Sequence, residues 1–443
     1  MSIWSLPWLE LAIVGALLGA LALRVFQDPT RAWRWGLSFT TVPLTCAMLA
    51  SMAFYCGGAA EGRWDVQSQL FGKRVFGLDE LSAPLAPLVA LLHFLTALAT
   101  GRTKMRRFSL SWSLASESLR LAIFGCLDPW MLVLLLVVST VPGLIELINR
   151  GQPTRVYILH LGLFVTLLLT GWAGVSAADG AAPDWATAAL LAAVLIRCGT
   201  VPFHCWLTDW FEHASFGNAL LFVTPLPGVY AAFRLVLPIA PDWVLQSIGA
   251  FSLLTAVYAA GMAVVQQDAR RFFAYLSLSH AALVLVGLEL HTAVSLTGAL
   301  ALWVSAALSL TGLGLTIRAL EARFGRLSLR DFRGLYDHSP ALAVCFLTTG
   351  LASVGYPGTL GFVAGELLVE GAVQANLLVG LAVALAAALN GIAIVRAYFL
   401  LFTGARHAST VSLAITPRER FAVLTLAALI LGGGLFPQPG IAS

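Results

Sequence analysis

One arginine interrupts the apolar run LLAAVLIRCGTVPFHCWLTDW (190–210): Arg197 stands five residues ahead of Pro202. Ionisable side chains inside long apolar segments are costly to bury and are functional candidates by default. A proline there removes a helix hydrogen bond and leaves a carbonyl free. His204, Asp209, Glu212 and His213 follow. The pattern reads as a broken helix with titratable groups on both sides of the break, an arrangement that transporters use to offer backbone groups to an ion. The competing reading is an arginine that snorkels to an interface along its apolar stem. A second interruption lies in LASVGYPGTLGFVAGELLVEGA (351–372). Gly355, Pro357, Gly358 and Gly361 break an apolar run there, Glu366 lies beyond the break, and Glu370 is one turn further on. Irregular backbone at membrane depth is tolerated only against protein or a water-filled cavity. Glu366 is therefore expected to be partly buried and to carry a titratable step; a capped turn is the alternative.

Four further positions have the right chemistry. Glu117 and Arg120 are spaced i,i+3, so both fall on one helix face, where they are expected to neutralise each other. Glu146 lies near the end of its apolar run and is expected to reach the interface. His280, in AYLSLSH, has no acid near it in sequence; it reads as a packing residue or as a neutral imidazole able to relay a proton. His93 and His160 read the same way with less context. Arg197 itself is expected to stay positive, because a guanidinium does not release its proton in ordinary surroundings. Its removal is expected to leave a buried acid unpaired. Other chemistries find no support. Six cysteines are scattered with no CxxC, which argues against an iron–sulfur cluster or a zinc site. No glycine-rich phosphate loop follows a strand, and no histidines are paired for haem. No cofactor, no metal, and no redox or hydrolytic site is expected in this chain.

The elements that hold these residues follow from composition. Of 443 residues, 59% are hydrophobic and 11% charged, where a soluble domain carries about 25% charged. Mean hydropathy is +0.87. Apolar runs long enough to span a bilayer recur along the chain, and in lipid such runs must be helices, because every backbone group has to be paired within its own segment. Fourteen spans are expected, centred in 4–26, 34–56, 79–100, 108–127, 129–148, 156–177, 184–201, 216–238, 244–265, 271–290, 293–317, 340–364, 375–400 and 420–436. Twenty of the 26 basic residues fall in the odd-numbered loops: Arg24, Arg31 and Arg34; Arg102, Lys104, Arg106 and Arg107; Arg150 and Arg155; Arg270 and Arg271; Arg318, Arg323, Arg326, Arg330 and Arg333; Arg396, Arg406, Arg418 and Arg420. Even-numbered loops hold Arg63, Lys73, Arg74 and Arg234. The positive-inside rule makes the odd loops cytoplasmic and puts both termini outside. A net charge of +4 distributed over short loops gives no reason to expect nucleic acid. The segment Trp4–Phe26 lacks a basic leader and a cleavage site, and reads as a retained first span. The longest polar stretch, 318–339, is too short to build a soluble core.

Four segments resemble one family, the proton-conducting membrane transporters. This family includes the antiporter-like subunits of respiratory complex I and the large subunits of multisubunit sodium/proton antiporters. FGLDELSAPLAPLVALL (76–92) resembles the family's third span. PFHCWLTDWFEHA (202–214) is similar to its PFH-x-WLPDA-x-E, and VVQQDARRFFAYLSLSH (264–280) to its Q-x-D-x-KR-x-LAYSS-x-xH. VGYPGTLGFVAGELL (354–368) resembles its GIP-x-x-x-GF-x-x-KE region. The order and spacing hold over roughly 76–400. The resemblance implies an all-α polytopic membrane protein of about 14 helices, with two inverted five-helix repeats broken in helices 7 and 12. It divides the chain into N-terminal helices 1–3 (1–107), a first repeat (108–238), a second repeat (244–402) and a last helix (403–443). It also implies a buried chain of Glu, Lys and His residues that carries protons at mid-membrane.

The sequence departs from that pattern at the relay itself. The family's glutamate in span 5 falls on Val137, its lysine in span 7 on Arg197, its basic residue in span 8 near Pro225–Pro227, and its lysine in span 11 near Ser309. Only two lysines occur, Lys73 and Lys104, both in loops. The residues left for a proton path or ion coupling are Arg197, His204, Glu366, Glu117, Arg120, His280 and Glu146. The resemblance implies a proton-translocating, ion-coupling subunit of a larger membrane complex, with other subunits and the lipid bilayer as partners. Two alternatives stand beside it. One is the energy-coupling subunit of a two-part inorganic-carbon uptake complex with a large cytosolic, zinc-containing, carbonic-anhydrase-like partner. The other is a scaffold with an inactive channel.

Overall fold

The computed structural model describes residues 6–26, 28–56, 72–100, 109–178, 180–290, 292–405 and 415–436. The basic residues Arg63, Arg102, Lys104, Arg106, Arg107 and Arg406 lie outside the described residues. The chain divides into two compact units, 1–151 and 152–443. Among the described residues there is no strand longer than an isolated bridge, and nine helical spans are long and apolar enough to cross a membrane.

The first unit contains α1 (Trp8–Val25), α2 (Pro29–Tyr55), α3 (Ser82–Leu98), α4 (Leu110–Phe124), α5 (Pro129–Val138) and α6 (Val141–Asn149). Helix α1 packs on α2 and α4. The Ser111 and Ser118 hydroxyls donate to the carbonyls of Ala20 (2.7 Å) and Ile13 (2.8 Å) and fix the α1–α4 register. Asp128 caps α5 by accepting from the Met131 amide, with Pro129 in the first turn, where its missing N–H costs nothing. The fifth expected span is thus two short helices, interrupted at Ser139 and Thr140 just ahead of Pro142.

The second unit contains α7 (Arg155–Ser176), α8 (Asp184–Cys198), α9 (Cys205–His213), α10 (Phe216–Val223), α11 (Pro227–Ala231), α12 (Asp242–Val265), α13 (Ala269–Glu289), α14 (Ala293–Phe324), α15 (Pro340–Ser353), α16 (Leu360–Ala375), α17 (Leu377–Phe402) and α18 (Pro417–Leu435). In lipid an apolar surface does not distinguish core from exterior, so burial does. The apolar window of α13 is 94% buried and that of α7 only 22%. Helix α13 is the hub of this unit, with α12 and α14 against it. Helices α14 and α16 meet through small residues: a Cβ on Gly298 would lie 2.6 Å from the Leu368 nitrogen, and one on Gly371 would lie 2.7 Å from Ser295.

At one end of this unit, charges from several segments lock together. Arg270 binds Glu321 through Nε and Nη2 (both 2.8 Å) and donates from Nη1 to the Ala214 carbonyl (3.0 Å). Arg326 reaches Asp268 (2.7 Å) and Glu212 (3.1 Å), and Arg323 reaches Glu419 (2.6 Å). Hydrogen bonding to Asp268, helped by the charges of Asp268 and Glu212, holds the Arg326 guanidinium above its ordinary pKa against the opposing effect of burial. Arg270 lies in the first turn of α13, Glu321 and Arg323 in the last turn of α14, and Arg326 in the segment that follows it.

Candidate ion-coupling site

Three helix breaks organise the second unit. The first follows Cys198. Gly199 adopts φ +72°, and a Cβ there would also meet the Leu278 side chain at 2.7 Å. The Thr200 amide and hydroxyl both return to the Leu195 carbonyl at 3.0 Å, and the Val201 amide donates to the Thr255 hydroxyl at 2.9 Å. Arg197 does not snorkel. It is 3% exposed, with its guanidinium carbon 4.6 Å from the Phe222 ring centre and 5.7 Å from that of Trp206. The expected buried acid is absent: the titratable neighbours it feels among the described residues are Tyr157 and Cys198. His204, just past the break, is half-buried with its ring 5.3 Å from Tyr258 and 6.1 Å from Tyr275.

The second break was not expected, although TPLP (224–227) signals it. Helix α10 ends at Val223, Leu226 takes a left-handed backbone (φ +60°), and Pro227 restarts the helix. Trp303 Nε1 donates to the Pro225 carbonyl at 2.6 Å, satisfying a group the break releases. A π-helical turn follows over Ala232–Val236, a distortion frequent at functional sites. This break touches the first: a Cβ on Gly228 would meet the Cys198 sulfur at 2.6 Å. A cavity of about 10 Å³ lies between them, lined by Arg197, Cys198, Leu226, Gly228 and Ser277 among others.

The third break separates α15 from α16 over 354–359, with Gly355 and Gly358 at φ +85° and +84°. Here His280 acquires a partner that sequence separation concealed. Its Nε2 lies 2.8 Å from the Ser353 carbonyl and its Nδ1 2.8 Å from the Leu276 carbonyl; the residue is 1% exposed. Both neighbours are acceptors only. A neutral imidazole has a single N–H and fills one of these bonds; the imidazolium fills both. His280 therefore has a carbonyl partner at each ring nitrogen, one of them in another helix. Beside it, Asn390 donates to the Ser279 hydroxyl (2.8 Å), which donates to the Ala256 carbonyl (2.9 Å). With Tyr275, Ser277, Ser279 and His280, the hub helix carries a polar thread through an apolar bundle.

Two other expectations change. Glu366 is exposed, not partly buried. The face of α16 against α14 is Gly361, Ala364, Leu368 and Gly371. Glu366 stands two residues from both Ala364 and Leu368, about 200° round the helix. Glu370 is also exposed and accepts from Gln374 at 3.2 Å. In the first unit, Glu117 and Arg120 form no intrahelical pair. Both are buried, at 0% and 4%, yet neither Glu117 oxygen has a hydrogen-bond partner among the described residues. Finally, Glu212 and Asp268 are engaged by arginines at the charged end. Glu146 is half-buried in α6. His93 and His160 each direct Nδ1 to a carbonyl of their own helix at 2.9 Å, Val89 and Val156. Val137 and the fully buried Ser309 occupy the expected relay positions without a titratable group. Among the described residues no three or more His, Cys, Asp or Glu side chains gather in a way that could hold a metal ion.

Comparisons with known proteins agree with this architecture. Residues 157–390, more than half of the chain, match the family described as NADH:quinone oxidoreductase/Mrp antiporter, transmembrane. The chain is 29% identical over 327 residues to NADH-quinone oxidoreductase subunit 13 of Thermus thermophilus, covering 68% of this chain and 69% of that one. It is 25% identical over 486 residues to NAD(P)H-quinone oxidoreductase chain 4 of Nostoc sp., covering 99% and 90%. In fold it resembles a chain of respiratory complex I from Thermus thermophilus (TM-score 0.84, 23% identity, 98% and 97% covered). It resembles a chain of the Mrp complex from Dietzia sp. as well (TM-score 0.86, 20% identity, 100% and 96% covered). The match over the three breaks and the hub helix, together with these relatives, leads to one conclusion: the chain belongs to the NADH:quinone oxidoreductase/Mrp antiporter transmembrane family.

Proposed function

We propose that this chain is a proton-translocating subunit of a multisubunit membrane complex, in which its partners are other membrane subunits. The observation that carries the reading is His280, held between two carbonyls at a helix break, where its bonding pattern depends on its protonation. Arg197 acts as a fixed positive charge at the first break, with His204 beside it. Glu117 supplies a buried carboxyl in the first unit. Arg120 and Glu146 are the other charged candidates of the first unit, and Glu366, on the exposed face of α16, has a peripheral part. The two inverted repeats run over 108–238 and 244–402. The inorganic-carbon uptake and inactive-scaffold readings gain nothing from the relatives, which are named as quinone oxidoreductase subunits.

The chain sits in the inner membrane with both termini periplasmic, a reading supported by the bias of basic residues. A fluorescent protein fused at the C-terminus should stay dark, and a fluorescent fusion overturns this orientation. For the path, the purified complex is reconstituted in vesicles and proton uptake is compared between His280→Gln and Glu366→Gln. Loss in the first with near-normal uptake in the second supports the assignment. Normal uptake in His280→Gln removes that residue from the path, and the reverse pattern restores Glu366.

A further inference from the structure

Helix α16 turns two carboxylates and an amide away from the protein. Glu366, Glu370 and Gln374 are exposed and spaced i, i+4, i+8, so they form one stripe along the helix. Glu370 accepts from Gln374 at 3.2 Å; among the described residues none pairs with Glu366. The neighbouring helix shows how deep this stripe lies. Helices α16 and α17 pack as a hairpin around Asn376, and a Cβ on Gly380 would lie 3.1 Å from the Val373 Cα. Seven residues back from Val373 and seven on from Gly380 bring Glu366 level with Ala387. Ala387 is ten residues from Leu377, the start of α17, about 15 Å along the helix and half of a hydrocarbon core about 30 Å thick. The outward face of α17 around that level is Leu381, Leu385 and Ile392, at 57%, 50% and 54% exposure. The two helices therefore present opposite surfaces at one depth: α17 suits lipid tails, and α16 does not.

A carboxylate near the bilayer midplane is costly against lipid, and such groups face protein or water instead. We propose that the Glu366–Glu370 face of α16 is the docking surface for a transmembrane helix of a neighbouring subunit that carries a lysine or arginine at the level of Glu366. The proposal rests on the chain being one subunit of a membrane complex and not on its proton path. Charge decides the occupant. Lipid tails supply no donor. A second copy of this chain, docked through the same face, would set these carboxylates against each other, and like charges repel strongly at low dielectric. A helix with a cation fits: its ammonium or guanidinium meets Glu366 through charge-assisted hydrogen bonds. The backbone leaves room for it. A Cβ on Gly365, beside Glu366, would meet nothing within 4 Å, and small residues let membrane helices approach closely.

The test uses the full chain in its native membrane, with a benzophenone amino acid in place of Val373, on the Glu366 face, or in place of Leu385, on the outward face of α17. The membranes are irradiated, and the complex is then purified in mild detergent. The Val373 position should join one other subunit, through an apolar peptide that contains a lysine or arginine, and the Leu385 position should join lipid only. Glu366→Lys should strip that subunit from the purified complex. The reversed pair, Glu366→Lys with a glutamate in place of the partner's cation, should recover it. Adducts at Val373 with lipid alone, or with a second copy of this chain, overturn the proposal, and so does full retention of the partner by Glu366→Lys. A reversed pair that stays dissociated overturns the charge match. A wild-type chain that purifies without other subunits overturns the subunit reading together with this one, whereas lipid adducts within an intact complex overturn only the docking surface.

Discussion

Replacing His280 by leucine and by glutamine separates what the side chain does for the fold from what it does for a proton. The Ser353 carbonyl is the last of α15, with no turn ahead of it to supply a donor. Its hydrogen-bond partner is His280 Nε2, at 2.8 Å. Leucine leaves that carbonyl buried and unsatisfied, at a cost of about 1–3 kcal/mol. The Leu276 carbonyl is affected less, since the helix ladder of α13 also supplies it with a backbone donor. Glutamine retains an N–H able to reach Ser353, and its stability should stay within about 1 kcal/mol of wild type. It cannot take up a proton, so translocation should fall to background. The assays are thermal unfolding of the purified complex and dye-reported acidification of vesicles. Two outcomes refute the reasoning: glutamine translocating at the wild-type rate, or leucine and glutamine proving equally stable. The second would mean that the Ser353 contact contributes nothing.

Four other substitutions test the frame around that site. Gly361→Ala places a Cβ 2.0 Å from the Ala352 carbonyl oxygen, a backbone atom, so the third break must shift. A loss of about 1–3 kcal/mol or more is expected in thermal unfolding, and a neutral result would mean that the break is loose. Asp128→Ala removes the cap of α5, worth about 1 kcal/mol. Burial acts to raise the Asp128 pKa, but the Lys73 hydrogen bond and charge, with the Met131 amide, leave it net below the ordinary carboxylate value. Its contribution is therefore complete above about pH 4 and fades as the pH falls below it, so wild type and variant should converge in acid. Arg326→Ala removes contacts that are 49% exposed on the arginine side; about 0–1 kcal/mol is expected, shrinking at high salt, and a large salt-independent loss would contradict a solvated network. Arg197→Lys supplies a cation that can lose its proton, so the pH profile of translocation should change shape; an unchanged profile counts against any electrostatic role for this position.

The helices were legible because a bilayer makes composition decisive. Unbroken apolar runs became helices close to their expected ends, as α12 (242–265) and α17 (377–402) illustrate, whereas 129–148, 216–238 and 340–364 are each interrupted. The breaks at 199–204 and 354–359 were legible because proline and glycine leave a local mark. The break at 224–226 carries the mark as well, in Pro225 and Pro227. Side-chain partners were much less legible. The i,i+3 spacing of Glu117 and Arg120 permits a pair without requiring one, because side-chain rotamers decide whether the two charges meet. The His280 partner lies 73 residues away and is a carbonyl, which no residue type announces. Glu366 failed for a simpler reason. One helical residue turns a side chain by about 100°, so a motif aligned to within a residue does not determine which face it occupies.

The relay that emerges differs between the breaks in kind. A charge-switching relay needs members whose charge changes when a proton arrives. Arg197 does not qualify, because its guanidinium stays protonated, and Val137 and Ser309 have no ionisable group. At the third break His280 qualifies, since gaining a proton changes both its charge and the number of carbonyls it can hold. That second change is mechanical as well as electrostatic. The bond to Ser353 ties the hub helix to the end of α15, whereas the bond to Leu276 stays within the hub helix itself. A neutral ring must choose between them, so deprotonation can release the tie at the point where α15 and α16 are already separated by two left-handed glycines. On the path proposed above, a fixed charge at one break and a proton-dependent tether at another would make the tether the step at which proton movement and helix movement meet.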